Sequence, residues 1–498
     1  MSSDLFQELT APNGVKYEQP LGLFINNEFV AARSGKKITT VNPANEEDIA
    51  HVHAAGVEDV DIAVKAAKAA FKGQWSTTNG TTRGALLHKM ADLVEQHRRT
   101  LATIETWDNG KPYTAAFGGD VGEVISVFRY YAGWADKVTG DVIETTPGKM
   151  AYTIAEPVGV CAQIVPWNYP LGMASWKLAP ALAAGCTIVM KASEQTPLSI
   201  LYLATLFKQA GFPAGVVNII NGYGAEAGAA MASHLDVDKI ASTGSTATGQ
   251  QIMKAAASNL KNVVLETGGK TPLIIFEDAN LETAVKWGHY GIMANAGQIC
   301  TANSRILVHE SIYDTYVDMF KQKIQSTSKL GDPFAEDTFQ GPQVTKQQFD
   351  RILSYVEIGK QGGATLELGG KPWKDADGKG FYIEPTIFTN VSKDMRIYRE
   401  EIFGPFVVIA SFSTDDEAVA MANDSDYGLS AAFFTKDVSR AHRVAKRLEA
   451  GTVWINSSND TDYRVPFGGV KQSGIGRECG EAGIKSYTSV KSVYLTLE

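Results

Sequence analysis

The spacing of apolar positions changes near residue 157 and divides the chain. Upstream, Leu23 to Ile25 and Glu28 to Val30 flank Asn26-Asn27, a pair suited to a tight hairpin turn. Val60 to Phe71 and Leu86 to Ile104 carry apolar residues at helical spacing with charges between them. Beyond 157, short runs rich in Val and Ile predict strands at 158–165, 187–190, 216–220, 239–242 and 263–265. Helical stretches at 173–184, 198–209, 225–233 and 249–257 separate them. Alternation in units of roughly 30 residues predicts a parallel sheet with helical crossovers, an α/β fold. Such a sheet takes nucleotides at the carboxyl ends of its strands.

A second alternation runs from Leu273 to about Gly469, with strands at 306–308, 406–410 and 452–455, and reads as a separate domain. Segments 138–156 and 483–498 fit neither domain. Lys485 to Leu497 alternates as a strand, and a terminal strand with little local partner is expected to pair with another subunit.

At 498 residues the chain has room for about three domains of roughly 150 residues each. A net charge of −9, with no basic stripe interleaved with aromatics, argues against nucleic acid. The longest apolar stretch, Ala179 to Met190, is broken by Pro180 and Gly185 and falls short of the ~20 residues that span a bilayer, so no membrane partner is expected. Met1 to Glu8 carries acidic residues and neither a basic nor an apolar leader, and Leu495 to Glu498 is not a peroxisomal address. Cys161, Cys186, Cys300 and Cys479 have neither metal-site nor redox-motif spacing. So few cysteines in so long a chain predict no disulfides, no metal and a cytoplasmic location.

Cys300 stands apart from the other cysteines. It lies in the small polar turn Asn295-Ala-Gly-Gln-Ile-Cys300-Thr301, where a substrate can reach it, rather than in an apolar run. Glu266, followed by Thr267-Gly268-Gly269 at the end of a strand-like run, is either a surface ion-pair partner or a carboxylate placed to take a proton from water. Thr243-Gly244-Ser245 to Gly249 follows a strand and opens a helix. It is an ordinary turn or a phosphate seat built from helix N-terminal N–H groups. Lys191 and Glu194 follow another strand and can hold a ribose diol, although a solvated loop pair explains them as well. Asn168, in Pro166-Trp-Asn-Tyr-Pro170, either caps its turn or aims an amide at a developing oxyanion. His289, eleven residues before Cys300 in a probable-helix pattern, raises a Cys–His hydrolase; its place between Gly288 and Tyr290 in that helix reads as structural.

These pieces together resemble the NAD(P)-dependent, non-phosphorylating aldehyde dehydrogenase superfamily over residues 20–495, in the general cytosolic and mitochondrial class that includes fungal members. The resemblance rests on Pro166 to Pro170, Lys191 with Glu194, Thr243 to Gly249, Leu265 to Lys270, Gly297 to Cys300, Glu400 to Pro405 and Pro466 to Gly469. It implies a Rossmann-like NAD-binding domain from 1–137 and 157–267, a catalytic domain from 268–470, and a small β oligomerisation element from 138–156 and 483–498. A homodimer or homotetramer follows from that element. Cys300 would be the nucleophile, Asn168 and the Cys300 N–H the oxyanion hole, and Glu266 the base that activates water against a thioester. Lys177 and Glu478 match positions of proton exit. Lys191 and Glu194 would hold the adenosine ribose, Gly244, Ser245 and Gly249 the pyrophosphate, Glu401 the nicotinamide ribose, with Trp167 and Phe403 beside the cofactor. NAD is favoured over NADP because Glu194 repels a 2′-phosphate.

The chain departs from the family pattern at Thr267, Thr271, Ser242 and Asn303. Ala294 and Thr461 stand where aromatics often narrow the substrate tunnel. A wide pocket is therefore expected, lined by Tyr169, Met173, Trp176, Ala294, Ile299, Thr301, Thr461 and Phe467, favouring bulky or aromatic aldehydes over acetaldehyde. A CoA-acylating enzyme needs no water-activating Glu266, and a non-catalytic scaffold needs neither Glu266 nor Cys300.

Overall fold

The structure is a computed structural model describing residues 4–374 and 378–497. An eight-stranded sheet runs in the order Gly474–Ile475, Asn262–Glu266, Lys239–Thr243, Val160–Ile164, Thr187–Lys191, Val217–Ile220, Leu23–Ile25, Glu28–Val30. The five central strands are parallel. Numbered along the chain they lie fifth, fourth, first, second, third, so the direction of winding reverses between Val160–Ile164 and Lys239–Thr243. A crevice opens at the carboxyl ends of the strands on either side of such a reversal. Thr187–Lys191 and Val217–Ile220 are buried along their whole length, which is why they read as continuous apolar runs rather than alternating ones.

The second sheet orders Thr365–Leu368, Thr386–Thr389, Phe406–Phe412, Arg305–His309, Pro272–Ile275, Ser430–Phe434 and Thr452–Ile455. Only Thr365–Leu368 runs antiparallel to its neighbour among these described strands. The hairpin at 23–30 turns on Asn26 and Asn27, whose φ angles of 57° and 64° belong to the left-handed region that Asn tolerates.

Two expectations change. The apolar stretch from 86 to 104 is two helices, Gly80–Gln96 and Arg98–Asn109, broken at His97, because apolar spacing carries on across a bend that does not shift the buried face. The terminal strand begins later than expected, at Thr488–Thr496, because Gly480–Lys485 is helical. Nor does it lack a local partner: it pairs antiparallel along its whole length with Lys149–Pro157, from Thr488 opposite Pro157 to Thr496 opposite Lys149. Val142–Ile143 adds a third strand on the far side.

Candidate active site

A cavity of about 580 Å³ opens between the two sheets. The ends of three parallel strands of the first sheet feed it: Pro166 to Tyr169, Thr243 to Ser245, and Glu266 to Gly268. Ile299 to Thr301, Glu401, Phe403 and residues 459–467 come from the other side.

Cys300 follows helix Leu281–Met293 through a turn in which Asn295, Ala296 and Gly297 all have positive φ, at 48°, 53° and 72°. Two of these are not glycine, so the turn is strained and must be held from outside. Gln298, buried, does part of this: its Nε2 donates to the Asn295 carbonyl at 3.1 Å and its Oε1 accepts from the Val344 N–H at 3.0 Å. The Cys300 thiol is pushed up to about 12, first by burial and then by the charges of Glu401 and Glu266.

Asn168 is buried and ends the loop before helix Pro170–Ala184, with Pro170 at the first helical position, where its missing N–H costs nothing. One N–H of its amide goes to the Gln298 carbonyl at 2.9 Å. Gln298 is two residues before Cys300 in the chain, and Asn168 lines the cavity beside it with its second amide N–H free of a described partner. Glu266 ends strand Asn262–Glu266; both carboxylate oxygens are buried and without a partner. Burial, reinforced by Glu478, holds its carboxyl well above the ordinary value. Behind it Lys177 Nζ bridges Glu478, at 2.7 and 3.0 Å, and the Thr243 hydroxyl at 2.7 Å.

The glycine pair after Glu266 has a steric reason. A Cβ at Gly268 would lie 2.4 Å from Glu401 Oε2, and one at Gly269 would lie 2.3 Å from the Cys300 carbonyl. Three loops meet there. Glu401 Oε1 accepts the Gly269 N–H at 2.8 Å, and burial raises its carboxyl to about 7. Lys270, pushed down to about 7 by burial, donates to the Ile397 and Glu400 carbonyls and fixes that loop.

Lys191 and Glu194 do pair, at 3.0 Å, at the end of strand Thr187–Lys191. Burial would raise Glu194, but Lys191 and backbone N–H groups, Gly224 among them, hold it below the ordinary value. Ser245 caps helix Thr246–Ala256 by accepting from the Thr248 N–H. That leaves the first-turn N–H groups of Thr246 and Ala247 without partners among the described residues. Gly244 lines the cavity, but its own N–H is engaged by the Glu266 carbonyl. Trp167 and Phe403 meet edge to face at 5.3 Å in the cavity wall.

Lys177, Lys191, Glu194, Gly249 and Ala294 lie outside the cavity wall. Gly249 is not in the cavity wall: it is buried inside the helix, where a Cβ would come 2.7 Å from Thr267 Cγ2, so its glycine serves helix packing. Ala294 also misses the wall, because it ends the helix just before the left-handed turn; Tyr290, one turn earlier, lines the cavity instead. Tyr169, Met173, Trp176, Ile299, Thr301, Thr461 and Phe467 all line it. Tyr290 and Tyr463 add two further aromatic rings to this wall. Sequence reasoning also missed Asp120, Glu123, Gln348, Arg351 and Asn459, which carry no motif. Thr301 donates to Asn459 Oδ1 at 2.5 Å, and Asn459 also contacts Asn303, tying the cysteine turn to the opposite loop. His289 donates to or accepts from Ser328 at 2.8 Å, beside Phe339, and is structural. Among the described residues no group of three His, Cys, Asp or Glu side chains is placed to hold a metal ion.

Residues 29–493 match the aldehyde dehydrogenase family. An aldehyde dehydrogenase of Emericella nidulans is 54% identical over 497 residues, 99% of each chain. Aldehyde dehydrogenase [NAD(P)+] 1 of Saccharomyces cerevisiae is 50% identical, again over 99% of each. The NAD+ complex of an aldehyde dehydrogenase from Bacillus cereus superposes with a TM-score of 0.94 at 49% identity, covering 96% of this chain and 97% of that one. With likeness of this extent in sequence and in shape, the chain belongs to the aldehyde dehydrogenase family.

Proposed function

We propose that the protein oxidises aldehydes to carboxylic acids with NAD through a covalent thioester on Cys300. The carrying observation is that Cys300 and an unpartnered, buried Glu266 carboxylate line one cavity. A structural glutamate would be ion-paired in such a place; this one lines the cavity without a partner.

The residues present fit a dinucleotide. Lys191 and Glu194 offer a donor and an acceptor at one strand end, the free first-turn N–H groups after Ser245 suit a pyrophosphate, and Glu401 beside Phe403 lies across the cavity near Cys300. Glu194 favours NAD, because a 2′-phosphate would face its carboxylate. When bound, NAD supplies the acceptor for the hydride that leaves the substrate carbon.

The protein's own steps follow. Cys300 Sγ, as thiolate, attacks the carbonyl carbon and forms a thiohemiacetal. The Asn168 amide and the Cys300 N–H stabilise the oxyanion, each donor contributing about 3 kcal/mol. Loss of the hydride leaves the acyl group on Sγ as a thioester. Glu266 takes a proton from water, the hydroxide oxygen bonds to the acyl carbon, and the C–S bond breaks. The carboxylic acid leaves and the thiol is restored. Lys177 and Glu478, behind Glu266, provide a route for the proton to leave.

Assembly is part of the reading. The sheet of Val142–Ile143, Lys149–Pro157 and Thr488–Thr496 exposes Val142, Ile154, Val490 and Tyr494 and has a free edge among the described strands, which supports a homodimer or homotetramer built on it. The four free cysteines support a reducing, cytoplasmic location.

The test is NADH formation with a panel of aldehydes, by wild type and Cys300→Ala. Activity in the first and none in the second is expected. Turnover that needs CoA in place of water would replace hydrolysis with acyl transfer.

A further inference from the structure

We propose that Asn459 is a positioning residue for the nucleophile: it clasps Thr301 at the hydroxyl and at the carbonyl, and so holds the Thr301 N–H toward Cys300 Sγ. The inference rests on the aldehyde-oxidising reading and adds a group that prepares the thiol for attack.

Cys300 has to give up its proton in a place that opposes negative charge. Burial and the carboxylates of Glu401 and Glu266 keep the proton on; the N–H groups of Thr301 and of Cys300 itself draw it off. No side chain takes over that task. His289, eleven residues earlier, is engaged with Ser328. Arg351 is the only basic residue in the described cavity wall, and its guanidinium is turned to the Glu401 and Ile402 carbonyls. Backbone N–H groups are therefore what this chain offers the thiolate, and their direction decides how much they help.

Thr301 Oγ1 donates to Asn459 Oδ1, and Asn459 Nδ2 donates back to the Thr301 carbonyl at 3.4 Å. The same nitrogen lies 3.1 Å from Ser458 Oγ, 3.4 Å from Asn303 Oδ1 and 3.5 Å from the Gly291 carbonyl. Carbonyl oxygens only accept, so the amide nitrogen must face them and its oxygen must face the Thr301 hydroxyl. Thr301 is thus gripped by its side chain and by its backbone at once. Asn459 has a φ of 56°, which Asn tolerates and a bulky residue resists. Asn303, where the chain departs from the family pattern, buttresses the clasp: its buried Oδ1 also accepts from the Ser458 hydroxyl. Gly291 leaves room for it, since a Cβ there would come 1.9 Å from that oxygen. A neutral amide suits the place. A carboxylate at 459 would face the same carbonyls and join Glu266 and Glu401 in one cavity wall.

The experiment measures the rate of iodoacetamide modification at Cys300 in the free enzyme at about pH 8, by mass spectrometry of the Cys300 peptide. Wild type is compared with Thr301→Val, Thr301→Ser, Asn459→Gly and Asn459→Asp. Gly accepts the left-handed backbone, and Ser keeps the hydroxyl. Thr301→Val and Asn459→Gly should each lose about fivefold, while Thr301→Ser stays within about twofold of wild type. Asn459→Asp keeps an acceptor for Thr301 but loses the donor and adds charge, so it should fall at least as far as Asn459→Gly. NADH formation from an aldehyde should fall in the same order. Melting curves show which variants fold, and the clasp can be broken from either residue. Rates equal to or above wild type in Thr301→Val and Asn459→Gly overturn the inference and leave aldehyde oxidation standing. So does a Thr301→Ser that falls as far as Thr301→Val, or an Asn459→Asp that matches wild type. A wild type whose Cys300 alkylates but forms no NADH from any aldehyde overturns both.

Discussion

The Cys300 carbonyl oxygen lies so close to Gly269 that a single methyl there would approach it to 2.3 Å. The obstacle is backbone, which cannot rotate aside, and it belongs to the nucleophile. Gly269→Ala should therefore displace the Cys300 turn without touching any reacting atom. A shift of about 1 Å in such a group costs about a hundredfold in rate. Steady-state kinetics should show that loss in kcat, with circular dichroism unchanged. Full activity would mean the turn is more compliant than its three left-handed residues suggest.

Asn168 engages the Gln298 carbonyl with one amide proton and keeps the other for the cavity. Asn168→Ala removes a donor needed most when charge develops on the substrate oxygen. A fall in kcat of about 10²–10³-fold is expected. The KM for aldehyde should change little, because the ground-state carbonyl asks less of that donor. A variant that raised KM and left kcat intact would assign Asn168 to substrate binding alone.

Glu266→Gln should separate the two halves of the reaction. Attack and oxidation do not need the base, so mixing should give a burst of NADH near one per site, then slow turnover limited by the thioester. The same change should stabilise the fold. Glu266 is raised far above 4.5 by burial, so the folded state keeps a proton that the unfolded state releases. Folded protein then binds more protons than unfolded, and this group's contribution becomes more unfavourable as pH rises from about 4.5 toward its folded pKa. The variant's Tm should exceed wild type by roughly 1–3 °C at about pH 8, and by less at about pH 5. Equal melting temperatures at both pH values would show that the carboxylate is hydrated in solution.

Much of this was legible in the sequence because strand ends carry local signals. Glu266 precedes a glycine pair, Asn168 precedes a helix-starting proline, and Cys300 follows a turn too polar for a core. What stayed hidden depends on what faces what. Asp120 and Glu123 occupy the start of a helix where acidic residues are ordinary, and nothing in their spacing distinguishes a cavity from solvent. Ala294 was misplaced because apolar periodicity does not register three left-handed residues after a helix. Gly249 packs its helix against Thr267, and a glycine needed for helix packing looks, in a string of letters, like one needed for a phosphate.

The thiol of Cys300 offers a direct probe of the electrostatics without substrate. Burial is the largest cause of its rise to about 12, and Glu401 and Glu266 add to it. Only the thiolate alkylates. In the free enzyme the rate of iodoacetamide modification at Cys300 should thus climb about tenfold per pH unit from about pH 7 to 9, with no plateau. Cys161, Cys186 and Cys479 are buried and should not contribute, so Cys300→Ala should abolish the fast phase. A plateau below about pH 8 would show that the N–H groups around Sγ outweigh its burial even in the free enzyme, and that the nucleophile is already ionised before anything binds.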